Sequence, residues 1–278
     1  MIDVRDVTRV YHRPRTSLRH PSPPVAALRG VSLQVGDGQR VGIVGESGSG
    51  KSTLLRIIAG LDRPTSGSVL VDGVDIARTP ERRLGFLAER LALVLQDPMG
   101  SLDPRMRVGD IIAEPLAARR AGTRAERAER VAHLLTEVGL PVSAARRYPH
   151  QFSGGQRQRI SIARALAGRP RVLVADEPVS ALDVSVRAQV LNLLADLADA
   201  HQLTLVLVAH DLAVVRHVCE HVVVMRDGLV VESGPTEQVY TTPSAAYTRR
   251  LVEAAPTLRQ VIATLTTGRG AKETDGHD

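Results

Sequence analysis

Gly45-Glu46-Ser47-Gly48-Ser49-Gly50-Lys51-Ser52-Thr53 fits the pattern G-x-x-x-x-G-K-[ST], and the sequence on either side of it tells how it folds. Before it, Arg40 to Val44 is a short apolar run that reads as a strand. After it, Leu54, Leu55, Ile57 and Ile58 have helical spacing through Ala59, and Gly60 ends the helix. Strand, glycine loop and helix in that order cradle phosphate, because the loop N–H groups and the positive end of the helix converge on one anion. Lys51 then reaches the β- and γ-phosphates of a nucleotide, and the Ser52 hydroxyl ligates Mg²⁺. Composition singles out the same residue. Lys51 and Lys272 are the only lysines among 36 basic residues. Arginine is a planar fork and lysine a compact point charge on a flexible stem, so a loop closed around terminal phosphates has room for the second.

Working outward, Val172-Leu173-Val174-Ala175 is an apolar strand that ends in Asp176-Glu177. Asp176 suits a metal, through water, and Glu177 suits a general base for an attacking water. Alone, such a pair would read as a solvated strand end; beside a phosphate loop it reads as chemistry. Further apolar runs at Leu203–Val208, His221–Met225 and Leu229–Val231 read as strands buried on both faces. Helices lie between several of them, which predicts a mainly parallel sheet. Residues 2–11 and 25–35 read as early strands joined by a basic, proline-rich loop. From 97 to 158 the pattern turns helical: Val108, Ile111, Ile112 and Leu116 share one face, and Thr123 with Glu126 forms a capping box before Val131, Leu134, Leu135 and Val138. A short helix is expected after Tyr240, and the polar tail from Thr267 reads as disordered.

The 278 residues and 43% hydrophobic content suffice for one large domain, or a core with a subdomain. Met1-Ile2-Asp3-Val4 carries no basic, then apolar, leader pattern, and no apolar run approaches a membrane span. The reading is a cytoplasmic protein, soluble or peripheral on a membrane through a partner. One cysteine, Cys219, excludes an internal disulfide and reads as a core thiol. The net charge of +6 could signal an anionic partner, but 2% aromatics leaves almost no stacking platform, so no nucleic acid is expected.

Phe152-Ser153-Gly154-Gly155-Gln156, together with Gly45–Thr53, Gln96, Asp176-Glu177, Ala181-Leu182-Asp183 and His210, resembles the nucleotide-binding subunit of an ABC transporter. The resemblance covers about residues 2–250. It implies an α/β P-loop NTPase fold: a RecA-like core from 1–96 and 159–240, an antiparallel β-subdomain, an inserted helical subdomain at 97–158, and a C-terminal extension from 241 to 278. It implies ATP and Mg²⁺ as ligands, with Gly45 to Thr53 around the phosphates and Ser52, Gln96 and Asp176 around the metal. Glu177, Gln96 and His210 become the catalytic group. Ser153, Gly154, Gly155, Gln156 and Asp183 would reach ATP held by the opposite subunit, the glycine turn aiming N–H groups at its γ-phosphate. Tyr11 matches the aromatic that stacks on adenine; strand packing for Tyr11, and His12 in its place, stay open.

Gln96-Asp97-Pro98-Met99-Gly100-Ser101-Leu102-Asp103-Pro104-Arg105 narrows the resemblance to the peptide and nickel importer branch. The chain departs from that branch at Leu95, at Ala209, at Ala245-Ala246 before Tyr247-Thr248-Arg249, and in lacking a C-terminal cysteine group. The implied partners are a second ATPase subunit, identical or paralogous, two transmembrane permeases at the inner face of the cell membrane, and, indirectly, an extracytoplasmic solute-binding protein. Rival readings are an ATPase-like component of a phosphonate C–P lyase complex, a non-transport ABC ATPase, and a P-loop kinase, the last opposed by Ser153–Gln156 and His210.

Overall fold

The computed structural model describes residues 1–12 and 24–254. The proline-rich connection expected between the first two strands lies, apart from its flanks, outside the described residues, as does the tail from Thr267. β1 (Ile2–Tyr11) and β2 (Val25–Val35) pair antiparallel, with Ile2 opposite Val35 and Tyr11 opposite Val25. β3 (Arg40–Val44) runs into the glycine loop and α1 (Lys51–Ile58) leaves it. Eight residues make a marginal helix by themselves. Leu54, Leu55, Ile57 and Ile58 are fully buried, each contributing roughly 1.5–3 kcal/mol, so packing holds α1 in place. β4 (Ser66–Val71) pairs with β1 and turns back as β5 (Val74–Asp75). Asp72 and Gly73 take φ of 48° and 80°, the paired left-handed turn whose twist suits a two-residue hairpin. These four strands form the expected antiparallel subdomain, in the order β2-β1-β4-β5.

α2 (Gly85–Arg90) leads into β6 (Leu91–Val94), and the helical segment follows with α3 (Pro98–Ser101), α4 (Val108–Ala118), α5 (Arg124–Glu137) and α6 (Gly154–Ala167). The capping box of α5 is present: the Thr123 N–H donates to Glu126 Oε2 at 2.6 Å, and the Glu126 N–H donates to Thr123 Oγ1 at 3.3 Å. Val108, Ile111, Ile112, Val131, Leu134 and Leu135 are buried where α4 and α5 meet α6. α6 runs unbroken through residue 158 and also packs on β6 and α7 (Val184–Ala200).

β7 (Val172–Asp176), β8 (Thr204–Ala209), α8 (Leu212–Val218), β9 (His221–Arg226), β10 (Leu229–Pro235), α9 (Thr236–Thr241) and α10 (Ala246–Ala254) complete the described chain. The second sheet has the order β10-β9-β3-β8-β7-β6 and is parallel from β9 to β6. Its side chains alternate between two cores. Leu173, Ala175, Leu205 and Leu207 enter the core with the helical segment, whereas Val172, Val174, Val206 and Val208 enter the core with α1 and the antiparallel sheet. β10 departs from the expectation of burial on both faces. It is antiparallel to β9, lies at the sheet edge and is partly to fully exposed along its length. Asp227 and Gly228, with φ of 51° and 77°, make a two-residue turn, which can join only antiparallel strands. Cys219 is buried, as expected of a core thiol, and desolvation pushes its pKa up to about 12.

Because β3, β6, β7 and β8 are parallel and in register, their carboxyl ends share one edge: Val44 pairs with Ala209, Asp176 with Val208 and Val94 with Ala175. Ligands of open α/β sheets bind beyond that edge.

Candidate functional site

The residues that follow those strand ends meet in one cavity of about 590 Å³, lined by Val25–Ala27, the loop residues Ser47, Gly48 and Gly50, Lys51–Thr53, Gln96, Glu177 and His210. The loop takes its shape from glycine at two positions above all. A Cβ on Gly45 would stand 2.1 Å from the Met225 carbonyl oxygen; one on Gly50, at φ 101°, would stand 2.6 Å from that of Ala27. Gly50 is also the N-cap of α1 and offers no side chain, so the first-turn N–H groups keep their capacity for an anion. Ser49 Oγ is buried and has no hydrogen-bond partner among the described residues.

Lys51 is 5% exposed. Its Nζ donates to the carbonyls of Gly45 at 2.8 Å and Glu46 at 2.9 Å. Burial lowers its pKa, and the carboxylates of Glu177 and Asp176 pull the other way. The Ser52 hydroxyl donates to Asp176 Oδ1 at 3.3 Å. Burial raises the Asp176 pKa, against the hydrogen bond from Ser52 and with added repulsion from Glu177. A hydroxyl and a desolvated carboxylate side by side are hard oxygen donors that fit Mg²⁺, an ion that takes one or two protein ligands and completes its shell from phosphate and water.

Glu177 follows β7 with φ 44°, a left-handed conformation rare outside glycine. Its N–H donates to the Val208 carbonyl at 3.0 Å, which continues the sheet one residue past the strand. Gln96 Nε2 donates to Glu177 Oε2 at 3.2 Å, and His210 Nδ1 lies 3.9 Å from the same oxygen. The two residues expected to act with Glu177 are thus brought to one of its carboxylate oxygens.

Ser153, Gly154, Gly155 and Gln156 do not line the cavity. Ser153 caps α6: its N–H donates to Gln156 Oε1 at 3.0 Å and its Oγ accepts the Gln156 N–H at 3.3 Å. Ser153 and Gly154 are exposed, and Gly155 is buried against α7. Asp183 is the exposed N-cap residue of α7 without a side-chain capping bond, and Val184 beside it is 51% exposed. Tyr11 also stands outside the cavity lining. Its hydroxyl donates to Asp62 Oδ2 at 2.6 Å, and the Arg9 guanidinium lies 4.5 Å above its ring. His12 is exposed. Two larger grooves, of about 740 and 940 Å³, lie along the helical segment; neither joins a phosphate loop to a carboxylate.

Sequence reasoning missed one contact of the loop. The Glu46 N–H donates to the Tyr247 hydroxyl at 3.0 Å, a partner 201 residues away with no local pattern to announce it.

Residues 28–180 match the family described as ABC transporter. The chain is 45% identical, over 93% of its length and 80% of the relative's, to the di/tripeptide transport ATP-binding protein of Pseudomonas aeruginosa. It is 49% identical to the oligopeptide transport ATP-binding protein of Mycobacterium tuberculosis, over 92% of its own length but only 42% of that longer protein. A putative peptide import ATP-binding protein of Brucella ovis is 44% identical, over 92% of this chain and 78% of the relative. Among solved structures, a dimeric post-hydrolysis ATP-binding cassette bound to ADP and Pi superposes with a TM-score of 0.75 at 33% identity, over 85% of this chain and 99% of the other. With more than half of its residues inside the family match and a relative 45% identical over 80% of that relative's length, the chain belongs to the ABC transporter family, as an α/β P-loop ATPase cassette.

Proposed function

We propose that the chain is the ATP-hydrolysing subunit of an importer for oligopeptides, dipeptides or a related solute such as nickel, working at the inner face of the cell membrane. The three relatives, named for peptide transport or import, support the solute class; they do not favour a C–P lyase component or a non-transport ATPase. The observation that carries the chemistry is the meeting of Lys51, the Ser52–Asp176 pair and the Gln96–Glu177–His210 group beyond four parallel strand ends.

ATP enters with its triphosphate along Gly45 to Thr53, and Lys51 exchanges the carbonyls of Gly45 and Glu46 for β- and γ-phosphate oxygens. That exchange is cheap, since the ammonium is already desolvated and already bonded. Ser52, Asp176 and Gln96 would hold Mg²⁺, which when bound neutralises phosphate charge. Glu177 accepts a proton from water as the water oxygen bonds to the γ-phosphorus and the bond to the β–γ bridging oxygen breaks, leaving ADP and phosphate. Gln96 orients that carboxylate, and His210 steadies it and reaches the γ-phosphate. A contact of Tyr11 with adenine would have to use the ring face opposite Arg9, with His12 as the other candidate.

Ser153–Gln156 and Asp183 serve a second ATPase subunit, identical or paralogous. The exposure of Ser153, Gly154, Gln156 and Asp183 and their absence from their own chain's cavity lining support this, as does the dimeric state of the solved cassette. The segment 97–158, entered directly from Gln96, carries closure to two membrane permeases fed by a solute-binding protein, and the core on either side of it is the ATP-reading unit. Glu177→Gln tests the assignment. Turnover should fall by roughly 10²–10⁴-fold, and the variant should form a dimer on size exclusion only with ATP. Unaltered turnover would remove Glu177 from the role.

A further inference from the structure

The peptide unit between Gly45 and Glu46 is held at both ends. Its carbonyl accepts Lys51 Nζ at 2.8 Å, and its N–H donates to the Tyr247 hydroxyl at 3.0 Å. In a trans peptide the two groups point opposite ways, so fixing the N–H fixes where the carbonyl points. Tyr247 therefore helps to set one of the two carbonyls on which Lys51 rests.

Tyr247 is itself well supported. It is 5% exposed and lies on α10. The guanidinium of Arg226 stands 5.0 Å from its ring centroid and that of Arg250 6.0 Å. The start of α10 is tied to β10: Glu232 Oε1 accepts from the Ser244 N–H at 2.7 Å and hydroxyl at 2.8 Å, and Oε2 accepts from the Ala245 N–H at 3.1 Å. β10 pairs with β9 and β9 with β3, the strand that enters the loop. The loop is thus clamped between its own strand and an arm 201 residues downstream.

We propose that Tyr247 is a positioning residue for nucleotide binding: through the Glu46 N–H it orients the 45–46 peptide and with it the Lys51 ammonium, which makes the segment Ser244–Ala254 a determinant of ATP affinity. The inference rests on the ATPase reading above. Tyr247→Phe keeps the ring and its packing against the two arginines and deletes only the acceptor. The Glu46 N–H loses its partner, and the 45–46 peptide, then held only at its carbonyl, is less firmly set in the conformation that receives phosphate.

The test uses the full chain, titrated with a fluorescent ATP analogue in Mg²⁺ buffer, with steady-state ATPase kinetics and a thermal melt alongside. Tyr247→Phe should weaken nucleotide binding and raise KM by roughly three- to tenfold, the worth of one hydrogen bond. The kcat at saturating ATP should stay within about twofold. A merely structural role would lower the melting temperature and leave KM alone. Wild-type KM and affinity in Tyr247→Phe would overturn the proposal. Lys51→Ala separates the two readings. If it loses nucleotide binding while Tyr247→Phe retains it in full, only the role of Tyr247 falls; if Lys51→Ala binds like wild type, the ATPase reading falls first.

Discussion

Asp176 and Lys51 carry opposite charges into a desolvated site, and burial works against both. It lowers the lysine pKa and raises the aspartate pKa, so attraction between them does not offset the loss of water. For Asp176 the consequence can be signed. Its native pKa lies above the ordinary 3.8; between those two values the native state binds more protons than the unfolded chain, and stability falls as pH rises through that window. Asp176→Asn removes the charge and keeps an oxygen for Ser52. The nucleotide-free variant should therefore be more stable than wild type at neutral pH, by roughly 1 kcal/mol. The gap should close as pH falls toward 3.8. Thermal melts at a series of pH values would show it, and a lower melting temperature at neutral pH would mean that attraction to Lys51 outweighs desolvation. Glu177 adds a second local cost. Its left-handed backbone is the kind of conformation that persists only where neighbours enforce it, here the Val208 carbonyl and the turn to Ser180.

Between elements, one tight constraint is where α6 meets α7. A Cβ on Gly155 would stand 2.3 Å from Val186 Cγ1. Gly155→Ala gains about 1 kcal/mol of helix propensity but must push the two helices apart, which typically costs about 1–3 kcal/mol. A net loss of about 1 kcal/mol is expected in denaturant melts, with Val186→Ala in the same chain restoring it. Nucleotide binding to the chain's own phosphate loop should be unchanged in the monomer, because Gly155 lies outside that cavity lining. Patterns of this scale explain which parts of the fold could be read in the sequence. β3, the loop, α1, β7 and the capping box of α5 are local statements: a run, a spacing, a pair three residues apart. The antiparallel course of β10 escaped because Leu229-Val230-Val231 looks like a buried strand, although Asp227-Gly228 before it already specifies a tight turn. The same Asp-Gly pair at 72–73 announced β4 and β5 and went unread. In the site, Lys51, Ser52, Asp176, Gln96, Glu177 and His210 were legible from motif order. The Tyr247 hydroxyl was not, because only tertiary packing brings α10 to the loop. Nor could spacing show that Asp62 and Arg9 engage Tyr11.

At the scale of the whole molecule, the Ser153–Gln156 turn does not line the cavity of its own chain. If the second subunit is a copy of this chain, two inactive variants should complement. Lys51→Ala chains lack a working phosphate loop, and Ser153→Arg chains lack a working turn. Mixed, they form some dimers in which an intact loop faces an intact turn, and ATPase activity should rise above that of either variant alone. Activity that stays flat on mixing would show that loop and turn act within a chain or with a different partner. Cys219 makes such assembly easy to watch. It is the only cysteine in the chain, buried, with a thiol that ionises at about 12, and thiol reagents attack the thiolate. Wild-type chain is therefore expected to take up little maleimide at neutral pH, which a labelling control checks. A cysteine introduced at Val184, half exposed beside Asp183, would then be the sole reactive sulfur, and a single dye would report the approach of the two subunits without any native residue having to be removed first.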